Sequence, residues 1–238
     1  MATGNETGSA DVVILGSGFS RALSDQMPCV RDLAPDLTRY LTIVAPEVPV
    51  EALLGKPPDV EALLGYLAEA QPWLGDSILH RNRAALTETV LWLADHIWNC
   101  QAAAMTEPAP QELEALIRIW HRNRTTVITF NYDTLVEAAF VSLREELGLE
   151  RSDAPARCLS SLDLPTLASR KGYAMLSGEP ERTFRLLKLH GSLNWMYAAE
   201  RGGYGDAICD TLEIGGWGHD ERRSFEEIRR LVDEALSE

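Results

Sequence analysis

Residues 12–15 read Val-Val-Ile-Leu and run straight into Gly16-Ser17-Gly18. A strand with one face in water alternates apolar and polar residues. An unbroken aliphatic run is what a strand covered on both faces requires, and that is the situation in a parallel sheet. Parallel strands cannot be joined by a two-residue hairpin and need crossovers, so this one run already predicts a chain that alternates strands with helices. The pattern recurs twice. "TTVITF" at 125–130 is a second apolar strand followed at once by Asn131 and Asp133, and "FRLLKLHGSLNWMY" holds a third that ends near Leu189 and delivers His190. Each strand is predicted to be buried and parallel and to hand polar residues to its C-terminal end. In an open α/β sheet that is the edge where ligands sit, so the three loops share one crevice.

Between the first two strands the spacing is helical. In "PPDVEALLGYLAEA", Asp59 stands in an N-cap position and Leu63, Leu64 and Leu67 fall on one face. A longer helix is predicted over 83–105, ending before Pro108 and Pro110. A third begins there, with Leu113, Leu116, Ile117 and Trp120 on one side. After the second strand, 133–148 reads as a helix with Gly148 as its C-cap. Residues 151–178 read as loop with short strands or turns, 198–223 as a Gly-rich surface loop or hairpin, and 224–238 as a closing amphipathic helix. "VEALLG" occurs at both 50–55 and 60–65, a spacing that matches no repeat architecture and reads as chance or a small duplication. The fold class expected is α/β, a Rossmann-like parallel sheet with a helical insertion.

A chain of 238 residues suits one large domain or two small ones. Its net charge of -14 argues against a broad phosphate-binding surface, so no direct nucleic-acid contact is expected. The one dense basic stretch, "RIWHRNR" at 118–124, reads as a helix end whose cations face the negative pole of the dipole. The four cysteines form no C-x-x-C pair and the five histidines form no ligand pair, so no zinc or other metal is expected. With neither a signal-like N-terminus nor an apolar run near the roughly 20 residues of a membrane span, the expected location is the cytoplasm, away from any membrane.

The glycine loop can bring backbone amides of Ser17 to Ser20 close to a phosphate or pyrophosphate. It is not the dinucleotide fingerprint, because Arg21 stands where the third glycine belongs, and no acidic residue closes a second strand about 20 positions on. Both absences disfavour an ordinary Rossmann oxidoreductase, and the Walker pattern is missing too. An amide, a carboxylate and an imidazole on the same sheet edge suit a different reaction. Cleavage of the N-glycosidic bond to a cationic nicotinamide needs little acid assistance, but it needs a held oxocarbenium-like ribose and a base for the nucleophile. Each residue also has an ordinary reading: Asn131 or Asp133 as a helix cap, His190 as a satisfied core histidine.

Taken in order, "GSGFS" with Met27-Pro28 after it, "FNYDTLVE" at 130–137 and "KLHGS" at 188–192 resemble the sirtuin-like NAD-binding domains, in particular those of bacterial anti-phage defence systems. The resemblance spans residues 12–195. It implies a cofactor loop of Gly16, Ser17, Gly18, Phe19 and Ser20, with Arg21, Met27 and Pro28 in a flexible lid. Asn131 would hold the nicotinamide ribose or the attacking water, Asp133 would contact ribose or the nicotinamide amide, and His190 would be the general base. The activity implied is an NAD+ glycohydrolase (NADase), with NAD as substrate and nicotinamide and ADP-ribose as products, acting in antiviral defence by cofactor depletion. A protein partner or sensor, and a homo-oligomer, are compatible with that role.

Deacylase sirtuins carry a zinc module with paired cysteines, and their absence here argues against deacylation. In the family a further strand ends in a Gly-x-Ser turn on the adenosine side, and none is recognisable after Trp195. The expectation is therefore a single domain over 1–238 that is cut short after about residue 200, lacks its C-terminal strands and turns NAD over poorly alone. The alternative is a non-catalytic module that binds NAD or ADP-ribose and regulates a partner.

Overall fold

The computed structural model describes residues 11–149, 183–199, 206–210 and 216–218. In chain order these form β1 (Val12–Leu15), α1 (Ser17–Leu23), α2 (Val30–Val44), α3 (Val50–Leu54), α4 (Val60–Ala68), α5 (Asp76–Ala104), α6 (Gln111–Asn123), β2 (Thr126–Thr129), α7 (Leu135–Leu143), β3 (Arg185–Lys188), β4 (Trp195–Ala199) and β5 (Asp206–Asp210). The chain divides into two compact units, one formed by Met1–Gly16 with Met105–Glu238 and the other by Ser17–Ala104. The architecture is mixed α/β with a small open parallel sheet, compatible with a Rossmann-like fold.

In the first unit the sheet order is β1-β2-β3, with both pairings parallel. Leu15 lies opposite Thr129, and Thr129 opposite Lys188, so the three strands end in one row. The ladder continues past that row, Phe130 N–H donating to the Leu15 carbonyl at 3.1 Å and Leu189 N–H to the Thr129 carbonyl at 3.0 Å. One face carries Leu15, Val127, Thr129, Leu186 and Lys188, all buried. Phe184 extends that face and packs edge-on against Phe140 of α7, with ring centroids 5.5 Å apart, and tilted against Trp120 of α6 at 5.7 Å. α6 turns Leu113, Ile117 and Trp120 inward, and α7 is apolar nearly all round, as a helix wedged into a core must be.

The opposite face departs from expectation. Val12 and Ile14 are 58% and 67% exposed, so among the described residues β1 is parallel but covered on one face only. The physical reason is that α6 and α7 both serve the Phe184 side, and β1 is an edge strand of the described sheet. α7 also stops earlier than the sequence suggests. It ends at Leu143, and Gly148, at φ +68°, closes the turns that follow it. β4 and β5 pair antiparallel, which is the hairpin alternative for the Gly-rich segment. Farther on, the Trp217 N–H donates to Ser142 Oγ and its indole N–H to the Glu107 carbonyl, both at 2.7 Å.

The second unit is helical, with a core of Leu33, Leu37 and Leu41 from α2, Leu54 from α3, Leu63 and Leu67 from α4, and Ala85 and Leu93 from α5. Asp59 caps α4 as expected, its Oδ1 accepting the Ala62 N–H at 2.9 Å. The two "VEALLG" copies end differently: Gly55 adopts φ +71° just after α3, whereas Gly65 lies inside α4. α5 starts seven residues before the predicted helix, at Asp76. Among the described residues no helix is long and apolar enough to cross a membrane. The mixed stretch 151–178, Cys158 and the amphipathic segment 224–238 lie outside the described residues.

Candidate functional site

Because β1, β2 and β3 end in register, the residues just beyond them gather at one sheet edge. Gly16 follows Leu15, Asn131 stands two positions past Thr129, and His190 two positions past Lys188. This much of the expected site is brought together within the first unit. The Asn131 side chain reaches back across the edge, its Nδ2 donating to the Gly16 carbonyl at 2.9 Å. Its backbone N–H donates to Thr129 Oγ1 at 3.1 Å, so a buried threonine hydroxyl sets the direction in which the chain leaves β2.

His190 is exposed and lies beside two aromatic rings. Phe130 meets it edge-on with centroids 4.9 Å apart, and Tyr132 is tilted against it at 6.3 Å. Gly191 adopts φ +95°, a conformation open to glycine at little cost, and turns the chain back after the imidazole. The loop is then tied down, the Leu193 N–H donating to the Tyr132 carbonyl at 2.9 Å and Ser192 Oγ to Asn194 Oδ1 at 2.5 Å. His190 is thus an exposed loop histidine, distinct from the core histidine of the ordinary reading.

Asp133 fits the ordinary reading better. It is buried, and its Oδ1 accepts the Leu135 N–H at 3.3 Å at the start of α7. A carboxylate at a helix N-terminus satisfies an otherwise orphaned donor and complements the dipole.

The remaining loop residues belong to the second unit, where Ser17, Gly18, Phe19 and Ser20 form the first turn of α1 instead of a loop ahead of it. Ser20 is buried. Neither Gly16 nor Gly18 has a positive φ, and a Cβ on either would meet no atom within 4 Å. Nothing among the described residues therefore requires glycine at these two positions. The segment expected as a flexible lid carries two fastenings: Arg21 Nη1 donates to the Met27 carbonyl at 2.9 Å, and Met27 is 2% exposed.

No family model, no curated protein and no solved structure matches the chain. The site therefore stands on its own geometry.

Sequence reasoning missed the group that underlies this edge. Lys188 and Glu137 are both buried, and Lys188 Nζ donates to Glu137 Oε1 at 2.9 Å. The same ammonium donates to the backbone carbonyls of Asp133 at 2.5 Å and Tyr132 at 3.3 Å. Burial pushes the Glu137 carboxyl up from its ordinary range, with the Lys188 charge pulling the other way. The signal was in the sequence. Lys188 shares strand parity with Phe184 and Leu186, and Glu137 interrupts the apolar helix "LVEAAF", so two charges sit at core positions facing each other.

The basic stretch 118–124 behaves as a helix end. Arg118 forms a two-pronged pair with Glu146, Nε to Oε1 at 2.7 Å and Nη2 to Oε2 at 2.8 Å, and also reaches Glu114. Arg124 closes α6 in the left-handed region at φ 55°.

Proposed function

We propose that the chain is an NAD glycohydrolase of the sirtuin-like type, acting as a depleting effector in antiviral defence. The observation that carries the reading is that Gly16, Asn131 and His190 lie just past three parallel strands that end in one row. That edge is where an open α/β sheet receives its ligand. Gly16, with open space over its backbone among the described residues, fits a ligand that approaches the main chain closely, as a pyrophosphate does.

In the reaction, a water oxygen bonds to C1′ of the nicotinamide ribose as the bond from C1′ to the nicotinamide nitrogen breaks. The bonding electron pair leaves on that nitrogen, neutralising the pyridinium, and the water proton passes to the His190 imidazole. The products are nicotinamide and ADP-ribose. Asn131 orients the ribose or the water, and Phe130 and Tyr132 hold the imidazole. Asp133 acts from behind this edge, through the start of α7, with its direct contact to ribose or the nicotinamide amide as the further element of the resemblance. The scattered cysteines direct the reading away from zinc-supported deacylation. A protein partner, or a second copy of the chain, supplies the trigger in this account.

A second reading has an observation of its own. The Asn131 amide and the Asp133 carboxylate both already serve the fold, one holding Gly16 and the other the start of α7. That arrangement suits a module that binds NAD or ADP-ribose without cleaving it. Incubating the purified chain with NAD and separating the products distinguishes the two. Equimolar nicotinamide and ADP-ribose support hydrolysis, and NAD recovered intact from a saturable complex supports the binding module.

A further inference from the structure

Lys188 makes three contacts with its three ammonium protons, and two of the three acceptors are backbone carbonyls of the "NYD" turn. The Tyr132 carbonyl is the junction. It accepts from Lys188 Nζ, just before the His190 loop, and from the Leu193 N–H, just after it. Both flanks of the segment Leu189–Ser192 are therefore anchored to one carbonyl oxygen, whose residue follows Asn131 and whose ring lies against the imidazole.

We propose that Lys188 is a positioning residue: its buried ammonium, counter-charged by Glu137, clamps the Tyr132–Asp133 turn and the His190 loop together, and so sets the imidazole relative to Asn131. The functional part of this inference rests on the NAD-hydrolysis reading, whereas the geometric part stands on the contacts alone. Net stability does not account for the pair, because a buried ion pair is commonly replaceable by apolar residues of similar volume without loss. What an apolar pair cannot supply is a donor for the two carbonyls. Misplacement of a reacting group by about 1 Å can cost about 10²-fold in rate, so a clamp one residue-pair deep below the site has leverage on turnover.

The test is the double variant Lys188→Met/Glu137→Leu in the full chain, which removes the clamp together with both charges of the pair. Where it does not fold, Lys188→Met/Glu137→Gln is read in the same way. Four quantities are measured: the thermal midpoint, kcat and KM for nicotinamide release from NAD, and the His190 ring resonance in histidine-labelled protein, identified by its loss in His190→Gln. The expected result is a retained cooperative melt, kcat lower by about 10- to 10²-fold with KM little changed, and a His190 resonance displaced from its ring-current position beside Phe130. A purely structural pair leaves that resonance where it is, and an unmoved resonance overturns the proposal whatever the turnover. If the parent releases no nicotinamide, the hydrolysis reading fails by itself, and the resonance still decides whether the clamp positions the imidazole.

Discussion

Asn131 Nδ2 donates to the Gly16 carbonyl at 2.9 Å, tying the end of β2 to the end of β1 across 115 residues of chain. The bond makes one side chain both a candidate ribose or water ligand and a fastener of the glycine turn. Asn131→Ala is expected to lower unfolding stability by about 1 kcal/mol, the ordinary net worth of such a hydrogen bond. It is also expected to reduce nicotinamide release far more than that figure implies. Urea unfolding alongside the product assay checks both. Unchanged stability would show that the tie to Gly16 carries no weight.

The Lys188–Glu137 pair predicts an asymmetry between single and double substitution. Lys188→Met alone leaves the buried Glu137 carboxyl without its counter-charge and is expected to cost about 3–5 kcal/mol, whereas adding Glu137→Leu should restore most of it. Denaturant midpoints of the three proteins decide the point. Equal destabilisation by the single and double variants would mean that the charges do not compensate each other.

His121 gives a pH dependence. It lies 3.2 Å from Thr183 Oγ1 through Nδ1, and partial burial, with the nearby Arg124 charge adding to it, holds its pKa below the usual 6.5. The unfolded chain therefore takes up the proton first. This contribution to stability is fully present above about pH 6.5 and is lost as pH falls through the folded-state value. His121→Gln should flatten the stability curve below about pH 6.5. A curve with the parent's slope there would remove His121 as the cause.

In the second unit, Asp59→Ala removes the acceptor for the Ala62 N–H and should cost about 1 kcal/mol. Asp59→Asn, which keeps a cap oxygen, should recover most of the loss in the same urea titration. If Asn behaves like Ala, the cap is not what holds the start of α4.

Much of this fold was legible because its signals are local. The aliphatic run at Val12, the Asp59 cap and the one-sided stripe of α6 each rest on a few adjacent residues. α2 is less visible, since Pro35 lies inside it and argues against a helix, and its packing with α3, α4 and α5 overrides that preference. The exposure of Val12 and Ile14 could not be read from composition, because which face of a strand is covered depends on where the crossover helices lie. The site was legible as three loops but not as a network. Strand spacing places Asn131 and His190 at one edge, whereas the meeting of Lys188 and Glu137, 51 positions apart, depends on the register of β3 beneath α7.

Whether His190 does chemistry at this sheet edge is read most directly from nicotinamide release from NAD by the full chain and by His190→Ala, with the melting of both recorded. Slow release by the parent alone is expected, and a loss of about 10²–10⁴-fold in the variant, the usual contribution of a general base, with the melt unchanged because the imidazole is exposed. Release by His190→Ala at the parent's rate would contradict it.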